Sequence, residues 1–181
     1  MDSKNKGTAF ERTIAKDLSL WWSSGEREDL FWRTASSGGR ATQREKEGKP
    51  TAGQDGDICA TSPSSHPLME KIIIECKRYK SLNLWNIATG GPCLFRQWYS
   101  NLSTIAYSQD KCPVIIMKED NHPIMIALPS HLLDALVCEM DLTLSMRLDT
   151  TMIEPVSIIL FNDFIEGQPS MYPLDYCIPS N

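Results

Sequence analysis

One short run restricts this chain more than any other part of it. Ile72-Ile73-Ile74-Glu75-Cys76-Lys77 reads as a strongly apolar β-strand that ends in charge, continuing into Arg78-Tyr79-Lys80. Strand side chains alternate between faces, so Ile72, Ile74 and Cys76 share one face and Ile73, Glu75 and Lys77 the other. A carboxylate and an ammonium thus stand side by side on an otherwise apolar strand, where burying either one alone is costly. In isolation such a pair is most often a surface ion pair at a strand end.

Its surroundings favour chemistry. Asp57 lies upstream and opens a second expected strand, Asp57-Ile58-Cys59-Ala60-Thr61. If the two strands pair, Asp57 and Glu75 meet at one sheet edge. Two carboxylates converging there repel each other unless a cation binds them, and hard oxygen ligands with open water positions suit Mg²⁺. A lysine beside such a site can orient or help deprotonate a water and stabilise a pentacoordinate phosphate. Those are the requirements of phosphodiester hydrolysis. Asp55 shares a strand face with Asp57 if the strand extends that far, and is a rival ligand; Asp57 is preferred because the apolar strand starts there.

Along the chain, Phe10, Ile14, Leu18 and Trp21 or Trp22 fall at helical period, predicting an amphipathic helix from about Thr8 to Trp22 that Ser23-Ser24-Gly25 ends. Leu30 to Arg33 reads as a short strand. Ala35 to Gly56 is almost free of apolar residues and rich in glycine, a loop of about 20 residues of a length that is usually functional or disordered. Pro92 to about Tyr107 is an expected helix. Pro113–Lys118 and Pro123–Leu128 form a hairpin around Glu119-Asp120-Asn121-His122. Ser130 can cap a helix carrying Leu132, Leu133, Leu136, Val137 and Met140. Val156–Phe161 is a last strand, and the segment after Gly167 is expected to be irregular. This order predicts a mixed α/β domain.

Charge is distributed unevenly. The net of −5 argues against a simple nucleic-acid coat. Residues 1–100 carry 15 basic and 12 acidic side chains, whereas residues 101–181 carry 3 and 11. A polyanion, if one binds, is expected in the first half, although a merely acidic solvated surface in the second half gives the same count. No apolar run approaches the ~20 residues of a membrane helix. The N-terminus lacks the apolar segment of a secretory signal, so a cytoplasmic protein without a membrane partner is expected. Six cysteines without a CxxC, and only three histidines, argue against a zinc ribbon and for reduced, buried thiols. His66, His122 and His131 show no metal spacing and read as surface or turn residues.

The ordered set Gly56-Asp57 … Glu75-Cys76-Lys77 resembles the PD-(D/E)xK nucleases. Lys6-Gly7-Thr8-Ala9-Phe10-Glu11-Arg12 is similar to the KGxxxER opening of archaeal-type Holliday junction resolvases and related phage endonucleases. Arg33-Thr34-Ala35-Ser36-Ser37-Gly38 resembles their RxxxSG segment, and Cys112 to Lys118 with the strand after it resembles their hairpin. The likeness spans roughly residues 4–130. It implies a restriction-endonuclease-like α/β fold, a mixed central sheet flanked by helices. The whole chain, 1–181, is then expected to be one nuclease domain, with a core at about 4–130 and an extension at about 131–181.

The resemblance further implies roles. Asp57 and Glu75 would bind Mg²⁺, with Mn²⁺ able to substitute, and the Cys76 carbonyl would be a third ligand. Glu11 would bind the metal or its water, and Lys77 would position the attacking water. The proline of the family motif is Gly56 here. DNA would be the partner, branched DNA such as a Holliday junction being favoured, with a homodimer making two cuts; a phage-encoded protein would act in the host cytoplasm. Arg33, Ser37, Arg40, Arg44, Lys46 and Lys49 would grip phosphates, unless the loop, interrupted by Glu45 and Glu47, is merely solvated. Arg78 and Lys80 would flank a substrate strand. Gln97 falls on the helix after the motif, where related nucleases often place a glutamine near the site, while Trp98 at helical spacing reads as core. A restriction-like or end-processing nuclease, or a non-catalytic DNA-binding module on the same fold, are the competing readings; intact Asp57, Glu75 and Lys77 speak against the last. The apolar stretches Leu132–Met140 and Val156–Phe161 are either a dimer interface or part of the domain's own core.

Overall fold

The computed structural model describes residues 3–34, 56–83, 85–89, 91–138, 144–148 and 154–169. Asp55 and the loop residues Ser37, Arg40, Arg44, Lys46 and Lys49 lie outside them, as do Met140 and residues 170–181.

The centre is a five-stranded sheet formed by β3 (Ile72–Tyr79), β4 (Cys112–Glu119), β5 (Ile124–Pro129), β8 (Val156–Leu160) and β7 (Ser145–Leu148), in the order β3-β4-β5-β8-β7. β3 and β4 run parallel, Ile72 opposite Cys112 and Glu75 opposite Ile115. The other neighbours are antiparallel. The parallel pair requires a crossover, which α3 (Trp85–Thr89) and α4 (Leu94–Tyr107) supply. The sheet is therefore mixed and flanked by helices, as the sequence implies.

Helices cover both faces. Against one lies α1 (Ser3–Trp22), whose Phe10, Ile14, Leu18 and Trp21 are all buried, together with α5 (Ser130–Leu136) and α6 (Phe161–Glu166). Ile72, Ile74 and Cys76 of β3 join this core. Against the other face lie α3 and α4, which bury Ile87, Phe95, Tyr99 and Leu102 with Ile73, Ile115 and Met117. The alternation read from the sequence thus sorts β3 correctly. Helix α1 begins earlier than its apolar period indicates. It ends where Ser24 (φ 52°) and Gly25 (φ 90°) turn left-handed and Gly25 N–H donates to the Leu20 carbonyl at 2.7 Å, a glycine-assisted stop.

A small antiparallel ribbon, β1 (Phe31–Arg33) with β2 (Ile58–Ala60), stands beside the main sheet rather than in it. The expected strand at Asp57–Thr61 is shorter at both ends, and Asp57 itself precedes it. A second ribbon pairs β6 (Val137–Cys138) with β9 (Gln168–Pro169). Two short helical turns, Pro63–Ser65 and α2 (His66–Met69), together with α3, α6 and β7, carry too few residues for periodicity to reveal them.

The segment after residue 130 completes the sheet. Leu132, Leu133, Leu136, Val156, Ile158, Ile159 and Phe161 are all buried inside this chain. Of the two alternatives for these stretches, the described residues take the domain's own core. His131 stays partly exposed on α5, with Nδ1 3.5 Å from Glu154 Oε2 and Nε2 3.8 Å from Cys112 Sγ. Phe161→Ala is expected to cost about 3–5 kcal/mol, read by urea denaturation, with an effect independent of protein concentration. A loss that vanished at high concentration would return this segment to an interface.

Candidate functional site

Asp57 is held against the free edge of β3 by its own backbone. Its N–H donates to the Ile74 carbonyl at 2.8 Å, and its carbonyl accepts from Thr34 N–H at 2.9 Å. The side chain adds a third tie, Asp57 Oδ2 accepting from Cys76 N–H at 2.8 Å. Thr34 Oγ1 donates to the Gly56 carbonyl at 2.6 Å. Arg33-Thr34 stands out in the sequence for its resemblance alone; the bond from Thr34 is not legible there, because a hydroxyl bonded to a main-chain carbonyl leaves no periodic signal.

Gly56 makes this approach possible. A Cβ there would lie 2.5 Å from the Ile74 carbonyl oxygen and 3.0 Å from Ile73 Cγ2. The need is for space rather than for a special backbone angle. It gives a physical reason for glycine at the position where the resembling motif carries proline.

Three further groups complete the edge. Within a strand a residue's N–H and C=O point to the same side, so the Cys76 carbonyl is aimed, like its N–H, toward Asp57 and away from β4. Glu75 and Lys77 project from the α4 face of β3 and pair with each other. Glu11 reaches over from α1 and accepts from Arg33 Nε at 2.8 Å. Both carboxylates are partly buried.

The electrostatics follow from this crowding. The Asp57 carboxyl is pushed up to about 6, first by burial and then by the nearby charges of Glu11 and Glu75, against the opposing pull of the Cys76 N–H and Lys77. The Cys76 thiol is pushed well up as well, first by burial and then by Asp57, Glu11 and Glu75. Three carboxylates thus act on one another around a backbone carbonyl. Those are oxygen donors, the chemistry a hard divalent cation takes. Yet among the described residues no three His, Cys, Asp or Glu side chains converge closely enough to hold a metal ion. Arg33 and Lys77 engage Glu11 and Glu75, so a cation has to compete with two internal ion pairs.

The expected phosphate-contacting residues divide. Arg33 is tied to Glu11, and Arg78 Nη2 lies 3.2 Å from Asp120 Oδ1. Lys6 joins the same aspartate at 3.2 Å, and these two cations hold the Asp120 carboxyl below the usual range. Lys80 is exposed. Gln97 is exposed on α4, whereas Trp98 is half-buried with Lys77 Nζ 5.8 Å from its ring centre. Trp98 is therefore more than core, a proximity that helical spacing alone does not show.

Two expectations test this geometry. Gly56→Ala should displace Asp57 from β3 and cost about 1–3 kcal/mol, with a larger proportional loss of any activity the site carries. For Asp57 the sign follows from its raised value. The folded, metal-free protein holds this proton more tightly than the unfolded chain does, so stability falls as pH climbs from the ordinary carboxylate range to about 6. In EDTA, Asp57→Asn should therefore be more stable than wild type at pH 8, by on the order of 2 kcal/mol, and lose that advantage near pH 4. Equal stabilities at both pH values would contradict the burial argument.

No curated protein and no solved structure matched the chain. A family model did: the one described as "Phage putative PDDEXK endonuclease" matches residues 2–168. That span contains Glu11, Gly56, Asp57, Glu75, Cys76 and Lys77 and nearly the whole described fold. The family implies an endonuclease, with DNA as the substrate and a divalent metal as the general cofactor. No described helix is long and apolar enough to cross a membrane. The α/β sheet, the carboxylate-lined edge of β3 and the matching family model together make this chain a member of the phage PDDEXK endonuclease family.

Proposed function

We propose that this chain is a divalent-metal-dependent DNA endonuclease, a single nuclease domain across 1–181 that cuts branched DNA such as a Holliday junction. The observation that carries the metal requirement is the surplus of negative charge at the edge of β3, where Glu11 and Glu75 both disfavour ionisation of Asp57. Asp57, Glu75 and the Cys76 carbonyl would hold Mg²⁺ or Mn²⁺, and Glu11 would hold the ion or its water. When bound, the ion supplies charge neutralisation and Lewis-acid polarisation of the phosphate.

The chain's own residues do the rest. Cys76 N–H fixes one Asp57 oxygen, Oδ2, at 2.8 Å. Lys77 is set between Glu75 and the Trp98 ring; from there its ammonium would orient the attacking water and stabilise charge on the phosphate. Water oxygen bonds to phosphorus and gives a proton to solvent or a nearby base, while the P–O ester bond breaks with its electron pair going to the leaving sugar oxygen, which takes up a proton from solvent.

Resolution of a junction needs two symmetric cuts, and one site on this domain cuts one strand. A two-fold homodimer meets that need. Its contact surface would not be built on Leu132, Leu133, Leu136, Val156, Ile158, Ile159 or Phe161, which are buried within the protomer.

The decisive assay offers labelled four-way junction, flap, duplex and single-stranded DNA, with Mg²⁺ and with EDTA. Cleavage is expected with Mg²⁺ or Mn²⁺, to stop with EDTA, and to favour the junction; Ca²⁺ should bind without supporting turnover. Glu75→Gln and Asp57→Asn should each abolish cleavage while DNA binding persists. Lys77→Ala should lose about 10³-fold or more in rate and still bind metal. Full activity in EDTA removes the metal assignment, and a dead Asp55→Asn beside an active Asp57→Asn moves the ligand to Asp55. Light scattering checks the dimer: a monomer of about 20 kDa that cuts plain duplex as well as junctions would leave a simple nuclease.

A further inference from the structure

Beyond Lys77 the same face of β3 carries Tyr79, which is 43% exposed although Trp98 covers one side of it. The two rings are stacked, with centroids 5.1 Å apart and planes at 28°. Trp98 also lies under Lys77, at 5.8 Å, so a continuous aromatic surface runs from that lysine outward. Leu94, one helical turn before Trp98 on α4, is 49% exposed and extends the apolar margin. Tyr79, exposed and held flat on an aromatic support, is suited to an occupant with a flat apolar face.

The geometry points to Tyr79, backed by Trp98, as a stacking shelf for an unpaired nucleobase of the strand being cut. The inference rests on the nuclease reading above. Residues i and i+2 of a strand are about 7 Å apart, the rise of roughly two stacked nucleotides. A phosphate at Lys77 therefore puts a neighbouring base at Tyr79. In duplex DNA the base faces are covered by their own neighbours. Only a bulge, gap, flap or junction offers a free face, and every base has one, so the shelf selects for unpaired structure without selecting sequence.

The test uses three duplexes with the full-length protein in EDTA: one with a short single-stranded gap containing 2-aminopurine, one with an abasic nucleotide at that position, and one fully paired. The wild type is expected to quench 2-aminopurine fluorescence and to bind the gap about tenfold more tightly than its abasic counterpart. Tyr79→Leu, at an exposed position that should not disturb folding, is expected to lose both the quench and the preference while binding fully paired DNA as the wild type does. Tyr79→Phe, which keeps the ring, should retain the quench. A Tyr79→Leu protein that still quenches and still prefers the gap overturns the shelf, as does a variant weakened equally on all three DNAs. Metal-dependent cleavage without a Tyr79-dependent quench removes the shelf and leaves the nuclease. An intact quench without cleavage of any DNA removes the nuclease and leaves the shelf. A wild type that binds none of the three DNAs overturns both.

Discussion

The candidate site depends on one contact, the docking of the Gly56-Asp57 segment onto the free edge of β3. Two backbone hydrogen bonds of Asp57 and one from Cys76 to its carboxylate fix the aspartate. The docking needs a residue without a side chain immediately before it. The ribbon of β1 and β2 is also anchored through Phe31 and Ile58 in the core, but this docking is what sets Asp57 against the strand that carries Glu75. The edge strand is also given an occupant along the part that carries the chemistry, which limits unwanted strand pairing there.

Holding acids at this edge is costly, and the protein offsets the cost with internal cations. Among the described residues Glu11 is matched by Arg33 and Glu75 by Lys77, whereas Asp57 has a peptide N–H and a more distant lysine. The last acid is therefore strained toward its neutral form. Buried carboxylates without a full complement of partners are unfavourable for folding but suit a site that is to take up a cation. Arg78, Lys6 and Asp120 form a separate clasp that joins the end of β3, the start of α1 and the β4–β5 turn. It ties these three elements together around the site.

The far side of the sheet supports the near side through packing. β5, β8 and β7 bury β4 from its other edge, and β4 in turn holds β3 in parallel register. α1 reaches from Glu11 at the site to Trp21, which packs on Phe164 and donates from Nε1 to the Gly167 carbonyl at 2.9 Å. The C-terminal helix α6 is thereby coupled to the helix that carries a candidate site residue.

The sequence by itself determined the elements with a long enough hydrophobic period: α1, β3, α4, the β4–β5 hairpin and β8. It also determined the face assignment of Ile72 to Lys77, because alternation along a strand is a local property of the backbone. Gly56, Asp57, Glu75 and Lys77 were legible as a set through their order, and the family match covers all of them. What only the tertiary structure decided depends on contacts between distant segments. Those include the exclusion of β2 from the main sheet, the need for glycine at position 56, and the Thr34 bond to the Gly56 carbonyl. They also include the pairing of Arg33 and Arg78 with acids, and the placing of Trp98 against Lys77 and Tyr79. None of these is encoded in periodicity or spacing, since each depends on which backbone edge or ring a side chain meets after the chain has closed around its core.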